Sequence, residues 1–281
     1  MFVSRAPRTS PWLWTLVAGI VAALSWFPAH AQDEGTSDAF VQSIKTPQFE
    51  STITVAPQIV LEPGLGSDLV SSSVEAAKKL AVFAAEDAEA SPEFFRPYLV
   101  DERWEVTLFN STFVSVLGSH WMFTGGAHGN VDFSSFIWRR GAKDDAEGGG
   151  EYVPLEALFA DGMGKDAPIW DVLGRNLLAQ WEAEWVKRIG QPLGENDEAW
   201  RESAKRALAY HAEYKPVATL LPSTQGEKSG GLTFHYAPYI MGPYAMGSFS
   251  FDVPYTVFED YLTEDARNWF GGEIKPAAQT E

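Results

Sequence analysis

The chain has 281 residues, of which 45% are hydrophobic and 14% aromatic, enough to bury a core and too apolar to stay disordered. Its formal charge is −17, from 38 acidic against 21 basic residues, which argues against a nucleic-acid binder, since phosphate contacts need a basic surface. It has no cysteine, so there is no disulfide framework, no lipid-modified cysteine and no thiolate nucleophile or ligand.

Residues 1–31 read as an export signal. Arg5 and Arg8 form a basic start, Trp12 to Phe27 is apolar, and Ala29-His30-Ala31 offers small residues at a cleavage site. Cleavage after Ala31 predicts a periplasmic or secreted protein with no remaining membrane span. Loss of Arg5 and Arg8 takes the formal charge from −17 to −19. An acidic surface of that size suits a cationic partner by long-range attraction.

Residues 32–48 are polar and without period, which predicts a flexible leader. Glu50 to Leu61 alternates with β-branched residues and predicts a strand, stopped by Pro63 and Gly64. A helix capped by Ser67 or Asp68 is expected to about Asp87, with Val70, Val74, Ala77 and Ala81 on one stripe. Residues 49–100 are thus expected to form an N-terminal strand–helix subdomain, and 101–270 a larger C-terminal domain. In the latter, Trp104–Phe109 and Thr112–Phe123 predict a β pair, and Val131–Trp138 alternates again. Arg139 to Gly150 reads as a charged hairpin loop, and Leu155–Phe159 as a short turn. The period then changes. Trp170, Leu173, Leu177, Leu178, Trp181 and Trp185 fit a 3.6-residue repeat, so Pro168–Ile189 is a predicted helix, followed by a more polar one over 197–213. Val217–Leu221 and Leu232–Tyr236 predict a hairpin, Ser248–Val253 a strand and Val257–Phe270 a closing helix. Residues 271–281 are a polar tail. Strands adjacent in sequence, with helices inserted in blocks, predict an α+β fold: a mostly antiparallel sheet with helices packed on one face.

Two stretches stand out. In Thr124-Gly-Gly-Ala-His-Gly-Asn130, the glycines Gly125, Gly126 and Gly129 surround His128, which marks a corner needing positive φ or close backbone approach. Thr124, Gly125, Gly126, His128, Gly129 and Asn130 are read as a structural motif. The second stretch joins tyrosines, prolines and methionines: Tyr236, Tyr239, Met241, Pro243, Tyr244, Met246 and, further on, Tyr255. Proline stiffens the backbone, tyrosine gives wide amphipathic contact and methionine adapts, which suits a preorganised recognition loop.

Catalytic signatures are scarce. His120 and His128 lie eight residues apart, with Asp132 the only acid nearby, and no His-Glu-x-x-His or His-x-x-x-His spacing occurs. No Gly-x-Ser-x-Gly elbow occurs either, although triads need not be local in sequence. No metal, no cofactor and no catalytic residue is assigned.

Phe123-Thr-Gly-Gly-Ala-His-Gly-Asn130 is similar to the Tyr-Thr-Gly-Gly-Ala-His-Gly-Asn signature of the RsiV-like extracellular domains, which also accompany the PdaC-type peptidoglycan deacetylases. Phe234 to Gly247 and Val253-Pro-Tyr255 resemble the C-terminal signature of that family, and Leu155–Phe159 resembles its Leu-x-x-Leu-Phe turn. The resemblance covers roughly 100–262 and implies an α+β domain facing the cell envelope. In its best-understood branch such a domain belongs to an anti-sigma factor that binds lysozyme. No sigma-binding segment or deacetylase region is recognisable here, so neither role is carried over. What the resemblance implies is a non-catalytic envelope protein that binds a lysozyme-like muramidase or a peptidoglycan fragment. The other reading is a hydrolase acting on peptidoglycan, with His128 as base.

Overall fold

A computed structural model describes residues 39–141, 149–211 and 215–275. The expected signal peptide, the start of the leader, the centre of the 139–150 loop and the end of the tail lie outside those residues. The strands form two sheets. In the first, six strands lie in the order of the chain: β1 (Phe40–Lys45), β2 (Phe49–Val55), β3 (Tyr98–Phe109), β4 (Phe113–Phe123), β5 (Asn130–Arg139) and β6 (Glu151–Tyr152). All neighbours are antiparallel except β2 and β3. A parallel pair needs a long crossover, and the chain supplies it with α1 (Pro57–Val60) and α2 (Leu65–Ala90). The second sheet is an antiparallel meander of β7 (Val217–Pro222), β8 (Ser229–Tyr236) and β9 (Phe249–Pro254).

The first sheet is buried on both faces, and alternation assigns its side chains. Val114, Val116, Trp104 and Trp138 point to one core, where α2 lies with Leu65, Leu69, Ala77, Ala81 and Ala84 turned inward. The small residues of that stripe let the helix approach the strands closely. Phe113, Leu108 and Ile137 point the other way, into a larger core shared with β7–β9 and α3 (Ile169–Ile189). Leu108 changes sides because the register with β4 slips between Val106 and Leu108, a bulge that re-aims the following side chain. On α3, Ile169, Leu173, Leu177, Trp181 and Trp185 form the buried stripe. A second helix, α4 (Glu198–Ala207), packs beside α3. The edge strand β7 rests on the first sheet. Its Ala218 and Leu220 amides donate to the hydroxyls of Ser135 (3.1 Å) and Ser115 (2.9 Å), which satisfies an edge that would otherwise be left unpaired.

The α+β expectation holds, with most strand pairs antiparallel. Several details differ. The strands divide into two sheets, and helices serve both cores rather than one face, because β4 and β5 carry apolar residues on both sides. Residues 40–45, expected within the leader, form strand β1, since Phe40, Gln42 and Ile44 alternate inward and pair with β2. The strand expected to Leu61 stops at Val55, where Pro57 begins α1. The boundary drawn at residue 100 falls inside β3, and the described residues from 39 onward belong to one compact unit. The closing helix over 257–270 is replaced by two 3-10 turns and the short helix α5 (Glu264–Arg267). Leu262 is extended there and bridges Phe159, while Thr263 caps α5 through its hydroxyl. Among the described residues, no helix is long and apolar enough to cross a membrane.

Candidate functional site

The two stretches singled out in the sequence, more than 100 residues apart, meet at the surface. Strands β4 and β5 end and begin at the glycine corner, and Gly129 is buried there against Trp121. A Cβ at position 129 would lie 2.3 Å from Trp121 Cζ2, so only glycine fits. Gly125 takes φ +90°, a conformation natural to glycine. Gly126 needs neither property: its φ is not in the left-handed region and a Cβ there would meet only His128 O at 3.9 Å. Its carbonyl accepts from Arg96 Nη1 at 3.4 Å.

His128 projects from this corner, exposed, with both ring nitrogens engaged. Nδ1 lies 2.8 Å from Gly129 O, which can only accept, so Nδ1 carries the proton. Nε2 is then free to accept from the Tyr239 hydroxyl at 3.1 Å. The Tyr244 hydroxyl donates to the same Gly129 carbonyl at 2.8 Å. The rings stack as well. His128 and Tyr244 have centroids 4.0 Å apart at 25°, and Tyr239 lies 5.4 Å from Tyr244. Such offset aromatic contacts add to simple burial.

Tyr239 holds φ +71° and is the one non-glycine residue with positive φ among those described. That region is a true outlier for a bulky side chain and costs about 1–3 kcal/mol. Tyr239 is nevertheless 49% exposed, so burial does not offset the cost. The loop around it is fixed from below. Trp181 Nε1 donates to Met241 O at 2.9 Å, and Ser203 Oγ to Ile240 O at 2.9 Å. Arg188 Nη1 donates to Met246 O at 2.5 Å and Ser248 O at 2.9 Å, with its guanidinium 4.2 Å over the Phe249 ring. Helices α3 and α4 thus hold the loop through its carbonyls. These anchors were not apparent in the sequence. Trp181 showed only as part of a core stripe, and Arg188 and Ser203 carried no signal at all.

The residues expected to bind divide accordingly. Tyr239 and Tyr244 join His128, with Pro243 and Met246 partly exposed beside them. Tyr236, the last residue of β8, and Met241 are buried at 2% and 0% exposure and pack in the core. Tyr255 lies at the far end of the β8–β9 pair, its ring stacked on Phe270. Of the structural motif, Thr124, Gly126 and Asn130 are exposed. Both ring nitrogens of His128 are engaged in these contacts, and among the described residues no group of three His, Cys, Asp or Glu could hold a metal.

A second feature is a cleft of about 850 Å³ at the open side of β5. Phe133, Ile137, Leu155, Met163, Trp170 and Val217 make it largely apolar, and a Lys215–Glu156 ion pair of 2.8 Å stands at its wall. Its lining contains none of the ring-cluster residues, and Leu155–Ala157, the start of the Leu-x-x-Leu-Phe turn, form part of it.

No curated protein matches the chain. A solved structure of a DUF3298 family protein from Pseudomonas aeruginosa PAO1 is similar over 86% of this chain and 99% of that one, with a TM-score of 0.51 and 15% identity. At that identity the likeness concerns the fold. A DUF3298 family member from Bacteroides fragilis NCTC 9343 covers 81% of this chain and 93% of its own, with 18% identity and a TM-score of 0.46. The stretch 156–256, which contains α3, α4, the second sheet and the tyrosine loop, matches DUF3298, a family of proteins of unknown function.

Proposed function

We propose that the chain is exported to the bacterial envelope and acts there as a binding protein whose contact face is the His128–Tyr239–Tyr244 ring cluster. The observation that carries this reading is the strained and exposed Tyr239, held against His128 by a loop fixed at Ile240, Met241, Met246 and Ser248. A fold does not retain an outlying tyrosine in solvent for packing; a rigid, half-exposed aromatic is what a binding anchor requires. The partner we assign is a lysozyme-like muramidase or a peptidoglycan fragment. The resemblance of Phe123–Asn130 and Phe234–Gly247 to the RsiV-like domains supports it. So does the formal charge of −17, which complements a cationic enzyme and would speed encounter at low salt.

The test is a calorimetric titration with a c-type lysozyme and, separately, with soluble muropeptides, each at low and physiological salt. Lysozyme binding that weakens as salt rises supports the protein partner, and binding of muropeptides alone moves the assignment to the glycan. Absence of heat with both at low salt, where attraction between opposite charges is strongest, overturns the reading.

A further inference from the structure

On the α2 side of the first sheet, three neighbouring strands carry a chain of polar groups. Register pairs Glu102 with His120, and Gly118 with Ser134, so β3, β4 and β5 each contribute one member. His120 Nε2 lies 2.6 Å from Ser134 Oγ. On the other side of the ring, His120 Nδ1 lies 3.6 Å from Glu102 Oε2. Glu102 is itself fixed: Trp104 Nε1 donates to Oε1 at 2.6 Å, and the Ser73 hydroxyl of α2 donates to the same oxygen. Trp104 also packs edge-on against the imidazole, with centroids 5.2 Å apart. Burial pushes the Glu102 carboxyl up, but His120, Ser73 and Trp104 outweigh it and hold the group below its usual range, so it stays a carboxylate.

We propose that Ser134, His120 and Glu102 form a nucleophile, a general base and a positioning carboxylate for hydrolysis of carboxylic esters. This goes beyond the binding role proposed for the ring cluster and concerns a different site. The order of groups is that of serine hydrolases, which are recognised by geometry and not by position in the chain. His120 and Ser134 are both partly exposed on the α2 side of the sheet, so the pair is open to solvent there. Strand β5 is an open edge at that point, because β6 pairs only with Trp138 and Arg139. Ile137 O accepts from Val153 N on that open side, so by alternation the Ser135 amide points outward too, next to the nucleophile. An amide following the nucleophile is where an oxyanion needs a donor. On the same face as Ser134, Phe136 stacks on Trp104 with centroids 5.5 Å apart, an aromatic surface that suits an acyl or aryl group rather than a charged one.

In the first step, Ser134 Oγ attacks the ester carbonyl carbon and its proton passes to His120 Nε2. The tetrahedral oxyanion collapses with cleavage of the C–O bond, and His120 returns the proton to the departing alkoxide. Water, deprotonated by His120, then attacks the acyl-serine, releasing the carboxylic acid and restoring the hydroxyl. Ester and water thus give acid and alcohol. Glu102 touches no substrate; it orients the imidazole so that Nε2 faces Ser134.

The full chain is assayed with p-nitrophenyl butyrate and labelled with a fluorophosphonate probe. The proposal expects an adduct on Ser134 in peptide mass spectrometry, with label and turnover falling about 100-fold or more in Ser134→Ala at unchanged melting temperature. Glu102→Gln is expected to lower kcat and move the acidic limb of the kcat/KM pH profile while KM holds. Should that variant fail to fold, Ser134→Ala decides alone. No adduct on Ser134 in the folded wild type, or equal turnover in Ser134→Ala, overturns the proposal.

Discussion

At the scale of residues, the glycine corner and the strained tyrosine depend on each other. Gly129 permits Trp121 to lie flat under the corner, and its carbonyl receives both His128 and Tyr244. In Gly129→Ala the new methyl must displace an indole, a form of overpacking that costs about 1–3 kcal/mol. Thermal denaturation of that variant is expected to show the loss, whereas Gly126→Ala, with open space around it, should melt like the wild type. Tyr239→Gly separates strain from function. Glycine accepts φ +71° freely, so stability should hold or rise while partner binding weakens. A fall in melting temperature in that variant would mean that the ring is chiefly structural. His235 behaves differently from His128. It is 7% exposed, bonded to Thr219 and Ser250 at 3.0 Å each, and burial lowers its pKa from 6.5 to about 4 against the opposing pull of Asp252. The native state therefore binds fewer protons than the unfolded state between those values. The stability tied to this residue is full above pH 6.5 and is lost as pH falls toward 4, about 3 kcal/mol in all. Urea denaturation at pH 7.5, 5.5 and 4.5 checks the sign, and a flat profile would contradict it.

At the scale of elements, α3 acts as the support of the recognition loop as well as a core helix. Trp181 and Arg188 lie two turns apart on it, and both reach the backbone of the loop that follows β8. Arg188→Ala removes two carbonyl contacts and the packing over Phe249, so hydrogen exchange in 239–248 should accelerate while the α2 core stays protected. Uniform acceleration across both cores would argue against a local role. Much of this was legible beforehand. The stripe Leu173, Leu177, Trp181 and Trp185 follows the helical period, and the strands after Thr112 alternate. Other elements were hidden by their context. Residues 40–45 looked like leader because polar Gln42, Ser43 and Lys45 mask an alternation that matters only once β2 lies beside it. The segment 257–270 has helical composition, yet the bridge from Leu262 to Phe159 draws it out of the helix. Tertiary pairing overrode local preference in both places.

At the scale of the whole molecule, the fold brings distant motifs into one surface cluster and leaves a separate polar chain on the first sheet. The contact of His128 with Tyr239 spans 111 residues and the bond from Tyr244 to Gly129 spans 115, so neither could be read from spacing. What was legible was each motif alone: three glycines about a histidine, and tyrosines between prolines. The relation of Glu102, His120 and Ser134 was invisible for the same reason, since it depends on sheet register and no local pattern announces it. The formal charge of −17 bears on partners and not on fold, and it predicts that association with a cationic protein slows markedly as ionic strength rises, measurable by stopped-flow mixing. The central claim, that the ring cluster is the contact face, is tested most directly by titrating a c-type lysozyme and muropeptides into the wild type and Tyr239→Ala side by side. The account predicts that the variant keeps its fold and loses about 2 kcal/mol of binding, roughly 30-fold in affinity. Equal affinity in the two proteins would contradict it.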